Sequence, residues 1–122
     1  ALFTAERLRN AGVKVFLYRF ERPLQNLRER FGDEAFHTSD QPYLFGNDYL
    51  NAELLPTDRS YGESVMKYWT RFIRSGDTNA KGEPVWPDFG QSAFMTFGEE
   101  LKPGTDFGGA ECEFWRTFSA AQ

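Results

Sequence analysis

Histidine is the one side chain whose unperturbed pKa, near ~6.5, lets it take up and return a proton around neutral pH, and the chain contains a single one, His37. It stands in Phe36–Gly46, which reads Phe-His-Thr-Ser-Asp-Gln-Pro-Tyr-Leu-Phe-Gly, so Asp40 follows within one turn of chain. Pro42, Tyr43, Phe45 and Gly46 make this a rigid, aromatic, turn-rich stretch in which side chains can be held in place. The chemistry on offer is that of a general base. A lone loop histidine more commonly serves as a structural hydrogen-bonding residue, so the rest of the chain must decide between the two.

Other reactive side chains are weaker candidates. Asp33 and Glu34 lie near His37 in sequence, but adjacency does not aim a carboxylate at a ring nitrogen, and both are assigned to the solvated surface. Gly62-Glu63-Ser64 looks like the start of a nucleophile elbow, yet the position that needs a small residue holds Met66 and no strand precedes it. Ser64 is therefore expected on a helix. Trp69, Trp86 and Trp115 could be imagined as stacking platforms, but their helical or proline context favours packing. One His and one Cys, far apart, make no zinc signature; neither a calcium loop nor a glycine-rich phosphate loop is present. Cys112 has no internal disulfide partner, which leaves a buried free thiol or half of a bridge to another segment.

These residues need a framework, and 122 residues with 40% hydrophobic and 26% charged content suffice for one domain. The net charge of −4, with Lys and Arg scattered among acids, argues against a nucleic-acid partner. No apolar run approaches the ~20 residues of a membrane span. The chain begins Ala1-Leu2-Phe3, with neither an initiator Met nor a leader pattern, and is expected to be an excised or processed piece. Aromatic residues make up 17% of it and require a core.

The spacing predicts a helix over Ala1–Asn10 ended by Gly12, then a strand over Val13–Phe20 that is apolar on both faces. Such a strand belongs inside a sheet covered on both sides. The only other convincing strand is Ala93–Phe97, so the sheet is expected to be incomplete, with its remaining strands elsewhere. Glu21–Phe31 is a short helix or an ordered loop, and Asn47–Thr57 a connection. Asp58 is expected to cap a helix over Arg59–Ser75 whose apolar stripe is Val65, Met66, Trp69, Phe72 and Ile73. Gly76 stops it, Ser75–Asn79 turns, and Trp86-Pro87 lies in an extended segment. Lys102–Gly109 reads as a loop, and Ala110–Phe118 as a helix packing through Phe114, Trp115 and Phe118.

In this order stand Val-Phe-Leu-Tyr-Arg-Phe at 15–20, the histidine stretch at 36–46, Met-Lys-Tyr-Trp-Thr-Arg-Phe at 66–72, Ser-Gly-Asp-Thr-Asn at 75–79, Trp86-Pro87 and Cys-Glu-Phe-Trp at 112–115. Together, in order and approximate spacing, they resemble the C-terminal part of the type-B carboxylesterase/cholinesterase family. Thr78 replaces a proline usual at that surface turn. The resemblance implies that residues 1–122 are the C-terminal segment of a single α/β-hydrolase domain. It implies ester hydrolysis by a Ser-His-acid triad that needs no cofactor, with His37 as its base and Asp40 in a polar network supporting it. In that fold the chain order is Ser, acid, His, so the nucleophile and acid would lie in an upstream segment, expected as a separate associated chain. The substrate would be a small-molecule carboxylic ester. Cys112 matches a position often disulfide-bonded in secreted members, so the resemblance leaves a free thiol and an inter-segment bridge equally open, and it is compatible with a secreted or periplasmic setting. The rival readings are a non-catalytic cholinesterase-like binding or adhesion domain, and an independently folded interaction module.

Overall fold

The computed structural model describes residues 1–48 and 53–120; the middle of the connection expected at Asn47–Thr57 lies outside them. Leu2–Asn10 forms α1, which buries Leu2 and Ala5. Gly12 follows at φ +80°, a left-handed conformation that lets the chain reverse into the next segment.

The expected strand at Val13–Phe20 is only partly a strand: regular pairing covers β1, Tyr18–Phe20. Residues before it run alongside without a full ladder, the Val15 carbonyl accepting from Phe89 N and the Leu17 carbonyl from Met95 N. The reason is the shortness of its partner. β2, Phe94–Phe97, pairs with β1 in parallel, from Tyr18 opposite Met95 to Phe20 opposite Phe97. The sheet has a third strand, β3, Leu101–Gly104, antiparallel to β2, where the sequence suggested only a loop. Pro103 misled there. It donates no ladder hydrogen bond, and it is tolerated because β3 is an edge. β1 is the other edge, and among the described residues no strand pairs with its free side.

Both faces of the sheet are covered, as the two-sided apolar pattern of Val15–Phe20 requires. On one face Leu17 and Phe94 pack with Leu2, Ala5 and Phe89 under α1. On the other, Met95 and Phe97 pack with Val65, Tyr68 and Trp86, and Phe16, Tyr18 and Trp69 close around them. Trp86 is the hub of this second cluster, edge-on to Phe97 at 5.1 Å between ring centroids and against Trp69 at 4.9 Å. Its indole N–H donates to the Leu17 carbonyl at 2.9 Å. Asn79 bonds both sides of the Trp86 backbone, accepting from its N–H at 2.7 Å and donating to its carbonyl at 2.9 Å. Trp69 and Trp86 are thus packing residues.

The segment after β1 forms a single 3-10 turn at Gln25–Leu27 and the one-turn helix α2, Arg28–Phe31. The long helix α4 spans Pro56–Ser75 and ends at Gly76, φ +72°. Its buried line differs from the expected stripe. Asp58, Gly62, Val65 and Tyr68 face inward, flanked by half-buried Tyr61 and Trp69, whereas Phe72 is 43% and Ile73 80% exposed. The tyrosines win the interior because their rings pack while the Tyr68 hydroxyl still finds an acceptor, the Pro84 carbonyl at 2.7 Å. The last helix, α5, covers Gly109–Ala120. Phe114, Trp115 and Phe118 do not pack on a core as expected. Each is more than half exposed, and they stack on one another, because no described element lies over that face.

Candidate functional site

The histidine stretch is a turn followed by a helix. Gly32, φ +83°, ends α2, and the chain passes exposed Asp33 and Glu34. The Phe36 carbonyl accepts from Ser39 N and the Thr38 carbonyl from Gln41 N, both at 3.0 Å, which folds residues 36–41 tightly. Thr38 sits at φ +72°. A β-branched residue in the left-handed region costs about 1–3 kcal/mol and persists only where its surroundings impose it. The chain then enters α3, Gln41–Phe45, where the sequence suggested an aromatic loop. Pro42, in the first turn, is pre-set for helical φ and lacks only an N–H the helix would leave unpaired. Gly46, φ +63°, closes α3 by donating to the Pro42 carbonyl at 2.8 Å.

His37 projects from this turn exposed, and it makes no hydrogen bond or ion pair to any described residue. Asp40 does not aim at it. The Asp40 carboxylate accepts from the Tyr18 hydroxyl at 2.8 Å and so ties the turn to β1. Burial, then this hydrogen bond, push the Tyr18 phenol well above its ordinary range. Asp33 pairs loosely with Arg28 at 3.5 Å on the surface, and Ser64 lies exposed on α4, donating to the Ser60 carbonyl at 3.2 Å. Neither carboxylate nor serine is brought to His37. Cys112 is a free, half-buried thiol on α5 against the cluster beneath α1.

A polar cluster behind α3 escaped the sequence-based expectations. Asp58 is not a cap, since the N-cap of α4 is Leu55 and Asp58 is completely buried. Its carboxylate accepts from Arg22 Nη2 at 3.3 Å, from Gln25 N at 3.3 Å and from the Tyr43 hydroxyl at 3.1 Å. The same hydroxyl lies 3.0 Å from the Pro23 carbonyl, so one proton serves two acceptors. Arg22 also bonds Glu99 in the β2–β3 turn and places its guanidinium 4.5 Å from the Tyr61 ring centre. Burial alone would lower the Arg22 pKa. The Tyr43, Glu99 and Asp58 oxygens outweigh it and hold the guanidinium charged. A buried carboxylate stripped of such partners would be strongly destabilising. The signal was present in the spacing: Asp58, Gly62, Val65 and Trp69 share one helical face, so an acid at the head of that line had to meet a partner inside.

Gly62 sets how near α3 and α4 lie. A Cβ there would stand 2.7 Å from the Tyr43 carbonyl oxygen, so only glycine permits this approach. The turn is therefore gripped from two sides, by Tyr18 of β1 at Asp40 and by α4 at Tyr43. Among the described residues no group of three His, Cys, Asp or Glu side chains is arranged to hold a metal ion, and no helix is long and apolar enough to cross a membrane.

The described residues form a small mixed α/β unit, a three-stranded sheet with helices on both faces. The structure matches that of the Geobacillus stearothermophilus carboxylesterase EST55 with a TM-score of 0.71 and 25% identity, over 93% of this chain and 24% of that one. The Carboxylesterase family model matches residues 1–115, and the chain belongs to that family. Among relatives, dog carboxylesterase 5A is 30% identical over 122 residues, 92% of this chain and 21% of that protein. Pig liver carboxylesterase is 29% identical over 120 residues, 91% of this chain and 20% of that protein. The chain thus spans about a fifth of the length of the curated relatives it matches.

Proposed function

We propose that this chain is the C-terminal segment of a serine carboxylesterase and supplies its catalytic base, His37. Supporting this is the presentation of the chain's single histidine: exposed, unbonded to described residues, and fixed by a strained turn anchored to both β1 and α3. A structural histidine would be expected to spend its ring nitrogens on nearby backbone or side chains. Among the described residues none takes up either ring nitrogen of His37.

In the reaction, His37 takes the proton of a serine hydroxyl as that oxygen attacks the ester carbonyl, then gives it to the departing alcohol. The same ring next deprotonates water, which releases the carboxylic acid and returns the serine. The serine, its oxyanion hole and the acid that orients His37 belong to an upstream segment, which would also line the acyl and alcohol pockets. The side of β1 that no described strand pairs with supports this division, since sheets most commonly have about four to six strands and this one has three. No step calls for a cofactor.

The test is His37→Ala in the longer protein carrying this segment, assayed with an activated carboxylic ester. kcat should fall by roughly 10⁴–10⁶-fold, as when a triad member is lost. Near-normal turnover by the variant would refute the assignment. A wild-type protein that binds partners but hydrolyses no ester would favour the non-catalytic binding domain.

A further inference from the structure

We infer that buried Asp58, acting through the Tyr43 hydroxyl, is a positioning residue for His37. This rests on the proposed role of His37 as base. The path is short and continuous: Asp58 on α4 accepts from Tyr43 on α3 at 3.1 Å, and α3 begins at the residue after Asp40, where the histidine turn closes.

Three observations converge on it. Thr38, directly after His37, has φ +72°, and a turn held there relaxes unless its surroundings impose it. Where the turn closes, Asp40 is held by Tyr18 at 2.8 Å. The chain continues directly into α3, whose deepest anchor is Tyr43, completely buried, with its hydroxyl between Asp58 and the Pro23 carbonyl. Asp58 is itself immobilised by Arg22 and by the Gln25 backbone N–H, so it can hold Tyr43 without moving. A buried ion pair is weak evidence for stability as such. Here it terminates on the element that carries the base. Asp58 touches no reacting atom, and its effect is confined to where His37 stands.

The experiment compares Tyr43→Phe and Asp58→Asn with Tyr68→Phe in the longer protein. Tyr68 is the matched control: it lies on α4, and its hydroxyl donates to a proline carbonyl, Pro84, a bond that does not lead to the histidine turn. Both Tyr→Phe changes keep the ring and delete one hydroxyl. Tyr43→Phe and Asp58→Asn should lower kcat roughly 10–100-fold, the cost of a displaced catalytic group. KM should stay within about twofold, since no substrate contact is touched. Tyr68→Phe should keep wild-type kcat. If Asp58→Asn does not fold, Tyr43→Phe alone decides. Wild-type kcat in Tyr43→Phe, or an equal loss in Tyr68→Phe, overturns the inference while leaving the role of His37 intact. Activity retained by His37→Ala would instead remove the reading on which it rests.

Discussion

Replacing Gly62 by alanine tests the helix contact that seats the histidine turn. Helix propensity alone favours the change: Gly to Ala in a helix interior gains about 1 kcal/mol. The structure opposes it. The new Cβ would lie 2.7 Å from the Tyr43 carbonyl oxygen, 3.2 Å from its Cα and 3.3 Å from its carbonyl carbon. All three are backbone atoms of α3, so no side chain can swing aside, and reaching ordinary contact at 3.4 Å requires the helices to part by about 0.7 Å. Overpacking of this kind costs typically ~1–3 kcal/mol, and the rigid backbone puts it near the upper end. After the propensity gain, a net loss of about 1–2 kcal/mol is expected. Urea unfolding followed by tryptophan fluorescence measures it, with Ser64→Ala as the control, an exposed site on the same helix whose one side-chain bond, to the Ser60 carbonyl, is solvent-exposed. Ser64→Ala should gain about 0.5 kcal/mol. If Gly62→Ala also unfolds at or above the wild-type urea midpoint, the close seat of α3 on α4 is wrong.

Asn79→Ala should destabilise by about 1–3 kcal/mol, because both bonds to the buried Trp86 backbone are lost at once; thermal unfolding would show it as a lower Tm. Alkaline pH probes the buried tyrosines. Burial above all raises the phenols of Tyr18, Tyr43 and Tyr61 above the ordinary 10.0, with Asp40 adding to it at Tyr18 and Asp58 at Tyr43. Their folded-state pKa values exceed the unfolded ones, so their contribution to stability is complete below pH 10 and is lost as pH rises through the folded values. Tyrosinate absorbance from these three should therefore appear together with unfolding; ionisation of more than two of the chain's five tyrosines near pH 10 while it is still folded would contradict it.

The helices and turns were largely legible because their signals are local. Gly12 and Gly76 mark left-handed stops; α3 is the exception, since Pro42 and Gly46 read as loop residues although they bound a short helix. Strand lengths and packing faces were less so. β1 is regular over three of the eight residues expected to form a strand because pairing depends on β2, more than seventy residues away. Pro103 disguised β3, since an edge position excuses a missing donor only once the sheet exists. Ile73 outside and Tyr68 inside reverse a hydrophobicity ranking, because the Pro84 carbonyl that satisfies the hydroxyl is known only from the fold.

The sequence by itself determined the chemistry available: one histidine, in a turn it could be presented from, and a two-faced apolar strand that demands cover on both sides. It also carried the family resemblance, because motifs are strings of residue types in order. Only the tertiary structure decided what holds that histidine in place. Asp58 meets Arg22 and Tyr43, and Asp40 meets Tyr18, across separations of 15 to 36 residues. A hydrogen bond depends on distances of about 3 Å and on direction, and no local pattern encodes either between segments that the fold alone brings together.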